Sequence, residues 1–273
     1  MATPCDNVEN IGRTLRESLY SLGFEVYPFK IGWYNEVVSQ AHHLKYSAET
    51  LAVVILSTPS MFEKTFLPFL QRRCWENIRD PIDECVAHTI SSCVSEHFSE
   101  QRVDISYDYE MLPSRKPKFL AQTAAHVAGA ARYYRLSDIK DPPWGSKKMF
   151  GVCIHPQLGG WFAIRALLVW TGVEAGEELQ QVAPPDCVGS QEARINLLES
   201  FNLRWQDWTY RDIIPTKESY SPRQREYFLT PPAQRAALLK KWGFGPRVDA
   251  DMQKLTNKQG YYMTEDPAGS VHK

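Results

Sequence analysis

The side chains best suited to chemistry are three arginines and one polar stripe. Arg165 ends GVCIHPQLGGWFAIR (151–165), Arg211 lies in WQDWTYRD (205–212), and Arg235 in TPPAQRAALL (230–239). A guanidinium offers a planar fork of donors that matches a carboxylate or phosphate through two hydrogen bonds. A charged Arg165 in an otherwise apolar strand needs an anion if it is buried, because an unpaired buried charge is costly. A structural salt bridge meets that need as well as a ligand does. In AQTAAHVAGAARYY (121–134), read as one helix, Gln122, His126, Gly129 or Ala130, and Tyr133 recur at helical spacing and share a face. Alanines and a glycine around them remove side-chain bulk, so something broad can approach the backbone closely. Close packing is the stronger reading of composition alone. A mid-helix Gly129 would cost about 1 kcal/mol relative to Ala, which suggests a neighbour that tolerates no methyl.

Around these residues the sequence lays out strands and helices. A first helix is expected from a capping-box spacing of Asp6 and Glu9, with Val8, Ile11, Leu15, Leu19 and Leu22 on one face and Gly23 as its stop. LAVVILS (51–57) is a continuous apolar run of strand length, and Thr58-Pro59 has the look of a helix start. Asp80-Pro81, Ser190, Ser221-Pro222 and Thr230-Pro231 mark further starts, the last helix ending at Gly243. Residues 119–134 read as a helix, and 150–155 with 161–170 as an antiparallel hairpin. Strand alternation puts Gly151, Cys153 and His155 on one face, and Trp161, Ala163 and Arg165 on a face of the next strand. Residues 1–245 are expected to form one domain. Residues 246–273, rich in Gly, Pro, Lys and Asp, lack an apolar period and read as a peripheral tail.

Composition narrows the function classes. The 31 Lys and Arg against 32 Asp and Glu leave a net charge of -1, with no basic excess for nucleic acid. The N-terminal stretch lacks the basic start and apolar core of a secretory signal, and no apolar run reaches membrane-spanning length. Six scattered cysteines without a C-x-x-C pair fit reduced thiols and a cytoplasmic chain. Cys85 with His88, and Cys93 with His97, have spacings that could hold a metal, but core packing of the cysteines is the stronger reading.

FEVYPF (24–29), LSTPSMF (56–62), KFLAQTAAHVAGAARYY (118–134), GVCIHPQLGGWFAIR and RWQDWTYRD (204–212) together resemble the CblC-type cobalamin-processing family, from about residue 23 to 239 in the same order. The resemblance implies a flavin-nitroreductase-like α+β fold, an antiparallel sheet flanked by helices. It implies cobalamin bound base-off, glutathione-dependent dealkylation of alkylcobalamins, and decyanation of cyanocobalamin with electrons from FMN or FAD and NADPH. It also implies hand-over to a CblD-type trafficking protein. Carried over by position, Asp108, Phe119, Leu120, Ala121, Gln122, Tyr133, Tyr134, Arg135, Cys153 and Ile164 match the cobalamin site, with His126 beside them, and Arg165, Arg211 and Arg235 match the glutathione site. No catalytic side chain is implied, since the nucleophile is the glutathione thiolate, and no protein side chain ligates the cobalt. Family members carry Tyr, Gln, Arg and Ile where Arg132, Arg135, Gln157 and Phe119 stand, which touches the rim and tail pocket. Two other readings remain: a non-catalytic cobalamin carrier, and a flavin nitroreductase.

Overall fold

A computed structural model describes residues 4–72, 78 and 80–244. In chain order these form α1 (Pro4–Leu19), β1 (Phe24–Lys30), α2 (Ile31–Val37), β2 (Thr50–Ser57), α3 (Leu67–Arg72), α4 (Pro81–His97), β3 (Val103–Tyr107), α5 (Ala121–Val127), β4 (Arg132–Tyr134), β5 (Val152–Ile154), β6 (Ala163–Glu174), α6 (Gln191–Leu203), α7 (Pro222–Leu229) and α8 (Pro232–Lys241). The main sheet is antiparallel throughout, in the order β1-β2-β6-β3, and β4 and β5 form a separate two-stranded sheet. The proposed tail at 246–273 lies outside the described residues.

β2 sits at the centre of this arrangement because both of its faces are apolar. Leu51, Val53 and Ile55 join a core with Ile11, Leu15 and Leu19 of α1, Ile82, Cys85, Val86 and Ile90 of α4, and Tyr227 and Leu239 of α7 and α8. Ala52, Val54 and Leu56 point the other way, into a second core with Ala124 and Ala125 of α5 and Leu167 and Val169 of β6. A strand buried on both faces cannot alternate polar and apolar residues, which is why LAVVILS is continuous. A third, smaller core holds Tyr134, Val152, Ile154, Leu197 and Leu198, between the β4–β5 pair and α6.

Local start signals translate directly into caps. Asp80 accepts from the Ile82 N–H at 3.2 Å, Ser190 from Ala193 at 3.1 Å, and Ser221 from Gln224 at 3.1 Å, each satisfying an otherwise orphaned helix donor. The first helix departs from expectation: α1 has begun by Pro4, so Asp6 lies inside it. Its exit matches, with a short 3-10 turn ending on Gly23 at φ 85°. After Thr58-Pro59 the chain makes a turn and a single π-helical stretch, Phe62–Phe66, before α3.

Two expectations are overturned. Residues 119–134 are not one helix. α5 stops at Val127, Gly129 adopts φ 77°, and the chain returns as β4. A Cβ on Gly129 would lie 2.6 Å from the Val182 carbonyl oxygen, so the neighbour that excludes a methyl is the chain's own backbone. Nor do β5 and β6 form a hairpin. β5 pairs with β4, while β6 enters the main sheet between β2 and β3, leaving only a bridge between His155 and Gly159 at the expected turn.

Candidate functional site

At one end of the main sheet, the end of β2, the end of β3 and the start of β6 meet. Ser57 pairs with Ala163, and the Asp108 N–H donates to the Arg165 carbonyl at 3.1 Å. The β2–β6 register slips here: Leu56 pairs with Ile164 but Ile55 with Ala166, so Arg165 is the extra residue of a β-bulge. A bulge re-aims side chains that alternation would send elsewhere. Ile164 faces the second core, whereas the buried Arg165 reaches Ser57 through Nε at 2.9 Å and Asp83 of α4 at 3.9 Å, on the side of the first core.

Arg235 arrives at the same helix start from α8. It donates to the Thr230 carbonyl at 3.3 Å and to Asp80 at 3.4 Å, and lies 4.9 Å over the Tyr227 ring. Arg165 and Arg235 therefore converge on the first turn of α4, where Asp80 and Asp83 face them. Burial, helped by Asp80, raises Asp83 to about 6 against the pull of Arg165. Asp108 is also raised: the residue is exposed, but its carboxyl loses enough water near the bulge to outweigh Arg165.

Arg211 is held differently, in an aromatic box. Its guanidinium lies 5.1–5.4 Å from the ring centres of Trp161, Trp208, Tyr210 and Tyr220, and Nη1 donates to the Gly160 carbonyl. Tyr220 stacks on Phe228, over which Arg235 sits at 5.8 Å, so aromatic rings join the two arginine seats. Sequence reading missed this box, although the density of Trp and Tyr around WQDWTYRD is its signal.

The cobalamin-site candidates gather on the second core. Phe119 and Cys153 are buried in it, and Leu120, Ala121, Tyr133 and Ile164 pack against it. Tyr133 pairs with Cys153 across β4–β5, and the Cys153 thiol donates to the Gln122 carbonyl at 3.4 Å. The Tyr133 N–H donates to His126 Nδ1 at 3.4 Å, so a turn and a strand bring together what a helical stripe was expected to align. Burial, with Arg135 and Arg132, lowers His126 against a backbone hydrogen bond at Ala131, which favours the neutral ring. The Gln122 side-chain oxygen is buried without a hydrogen-bond partner. Leu120 is fixed through its N–H by the Tyr34 hydroxyl at 2.9 Å. Arg135 is exposed and lies 5.3 Å over Tyr133. Tyr134 points away into the third core, donating to Asp186 at 2.8 Å and accepting from the Val188 N–H at 2.9 Å.

The small residues of this region divide between packing and access. Ala124, Ala125, Ala130 and Ala131 are buried in the second core, so they serve close contact with the sheet. Ala121, Ala128 and Gly129 are half-buried. Gly151 is a close approach too, since a Cβ there would lie 2.5 Å from the Tyr133 ring. Burial pushes the Cys153 thiol far above its usual range, which makes it a poor nucleophile. Cys85 and Cys93 are core residues, and among the described residues no group of three or more His, Cys, Asp or Glu could hold a metal.

Comparison with known proteins supplies the lineage. Residues 23–239 match the family model described as methylmalonic aciduria and homocystinuria type C. A zebrafish (Danio rerio) protein named cyanocobalamin reductase / alkylcobalamin dealkylase is 66% identical over 244 residues, covering 89% of this chain and 98% of that protein. The human (Homo sapiens) protein of the same name is 49% identical over 232 residues, covering 85% of this chain and 82% of that one. The crystal structure of a C. elegans B12-trafficking protein CblC superposes with a TM-score of 0.78 at 33% identity, covering 87% of this chain and 97% of that one. The chain belongs to the methylmalonic aciduria and homocystinuria type C family.

Proposed function

We propose that this chain is a cyanocobalamin reductase and alkylcobalamin dealkylase that takes cobalamin as substrate and glutathione as co-substrate. The observation that carries the reading is the gathering of Phe119, Leu120, Ala121, Tyr133, Cys153 and Ile164 on one core, with Gln122 and His126 beside them. Those are the positions that the resemblance assigns to cobalamin. The rim suits a corrin, a flat macrocycle fringed with amides: the unpaired Gln122 oxygen can accept an amide N–H. Tyr134, committed to Asp186 and Val188, would act through its backbone. Asp108 and Arg135 would flank the rim and the nucleotide tail.

In the dealkylation, glutathione thiolate attacks the cobalt-bound carbon. The carbon–cobalt bond breaks, the alkyl group leaves on sulfur, and its electron pair stays on the metal as cob(I)alamin. Arg165 and Arg235, at one seat, and Arg211, in its box, would hold the glutathione carboxylates and so orient the sulfur, while their charge favours the thiolate. The raised Cys153 thiol supports the view that this cysteine, beside the cobalamin candidates, is not the attacking thiol. For cyanocobalamin, reduced FMN or FAD, renewed by NADPH, would supply the single electron, and cyanide would leave with its bonding pair. No residue of the chain is assigned to the flavin. Base-off binding, cytoplasmic location, a nitroreductase-like fold and transfer to a CblD-type partner complete the reading, together with oxidation of glutathione by the cobalt centre as a side reaction.

A cobalamin titration tests it: binding should give a base-off spectrum. Arg165→Gln should weaken glutathione about tenfold, the loss of roughly one charged hydrogen-bond pair, while cobalamin affinity changes little. Equal losses for both ligands would make Arg165 a fold residue, and an unchanged base-on spectrum would contradict the cobalamin site.

A further inference from the structure

Beneath the loop that seats Arg211 lies a buried polar cluster that none of the proposed chemistry uses. His155 is almost fully buried, and its Nδ1 accepts the backbone N–H groups of Gln157 at 3.2 Å and Leu158 at 3.1 Å. A nitrogen that accepts two donors carries no proton, so in the neutral ring the proton is on Nε2. Nε2 faces the Glu25 carboxylate at 3.2 Å and the Tyr27 hydroxyl at 3.1 Å. Tyr27 donates its own proton to Glu25 at 2.7 Å, leaving its oxygen free to accept from the ring. Burial would raise Glu25, but the hydrogen bonds from His155 and Tyr27 outweigh it and hold the carboxyl below its usual range, so it is ionised near neutrality. The single Nε2 proton is shared between the Glu25 and Tyr27 oxygens, so the ring links β1 to the loop.

The loop in turn fixes Arg211. His155 and Gly159 exchange backbone hydrogen bonds at 2.8 and 2.9 Å, closing a tight turn over the ring. Gly159 has φ 57°, and a Cβ there would collide with the Arg211 carbonyl oxygen; one on Gly160 would lie 2.9 Å from the Arg211 Cα. The Gly160 N–H donates to that carbonyl at 2.9 Å, and the Gly160 carbonyl accepts from the guanidinium itself. Two glycines touch the arginine at its backbone and at its charged end, and His155 holds the turn that carries both.

We infer that His155, anchored by Glu25 and Tyr27, is a positioning residue for Arg211, setting where that guanidinium meets the co-substrate. The inference rests on the reading that Arg211 binds a glutathione carboxylate. The loop side of the ring, Nδ1, is the half that matters for Arg211; the Glu25 side anchors the ring.

Asparagine and glutamine at position 155 separate the two halves. Asn places an oxygen near Nδ1 and can still accept from the loop, whereas Gln reaches toward Glu25 and leaves the loop donors unpaired. In the full chain with methylcobalamin, H155Q is expected to raise the KM for glutathione about tenfold, with cobalamin affinity and kcat near those of the parent, and H155N to stay within about threefold. Gly160→Ala, which disturbs the same seat without touching the ring, should raise the same KM and serves if H155Q fails to give the base-off complex. Arg211→Gln is measured alongside. If it leaves the glutathione KM unchanged, the glutathione assignment of Arg211 is wrong. If it raises KM while H155Q or, where that variant does not fold, G160A leaves it unchanged, the positioning role is overturned. Equal weakening of both ligands by H155N and H155Q would overturn it too.

Discussion

At the scale of single residues, the site is governed by which charges burial leaves in competition. Arg165 faces Asp83 at 3.9 Å and Arg235 faces Asp80 at 3.4 Å, contacts loose enough for an incoming carboxylate to contend with. Asp83, raised to about 6, keeps its proton more readily in the folded chain than in the unfolded one. Its charge therefore costs stability above pH 6, and that cost is relieved as pH falls through 6 toward the ordinary carboxylate range. The same protonation removes an anion from beside Arg165 while the carboxylates of glutathione stay ionised. S-methylglutathione, which cannot turn over, should accordingly bind several-fold tighter at pH 5.5 than at pH 7.5 by calorimetry, and Asp83→Asn should flatten that dependence. A pH-independent affinity in the parent chain would contradict the competition. Cys153 gives a second expectation. Its buried thiol should resist iodoacetamide at pH 8, and Cys153→Ala should loosen cobalamin while the methyl group still arrives on glutathione sulfur.

Elements explain what the sequence could and could not convey. Start signals at Asp80, Ser190 and Ser221 are legible because a cap and its first turn lie within a few residues. The central strand is legible from its unbroken apolar run. The segment 119–134 misleads because alanines favour a helix at every position except the one that decides: Gly129, whose left-handed backbone turns the chain. Gly129→Ala tests this. In a helix it would stabilise the chain by about 1 kcal/mol, whereas here it should destabilise by about 1 kcal/mol or more, through the left-handed strain and the Val182 contact, read as a lowered unfolding midpoint. The missing β5–β6 hairpin has the same origin, because β5 finds β4 and β6 finds β2 and β3 through tertiary contacts that local patterning does not encode. Arg165 is the sharpest case: a one-residue bulge, invisible to alternation, turns it toward α4.

On the scale of the molecule, the sheet separates two candidate surfaces that meet at one end. Corrin-site candidates lie on the side of the second core, while Arg165 and Arg235 reach the α4 start on the other side, and the bulge joins them through consecutive residues, Ile164 and Arg165. That juxtaposition could not be read from the sequence, where the Asp80–Asp83 turn, Arg165 and Arg235 are far apart; only resemblance linked the arginines. Within the described residues, no helix is long and apolar enough to cross a membrane. Because the family match ends at residue 239, a chain ending after residue 245 is expected to retain cobalamin binding and dealkylation; loss of either would assign a working part to residues 246–273. As proposed, this chain moves an alkyl group from cobalt to glutathione. Anaerobic incubation of the full chain with methylcobalamin and glutathione, followed by mass spectrometry, should yield S-methylglutathione in step with loss of the methylcobalamin spectrum. Persistence of bound methylcobalamin with no S-methylglutathione would contradict the enzyme and leave a carrier.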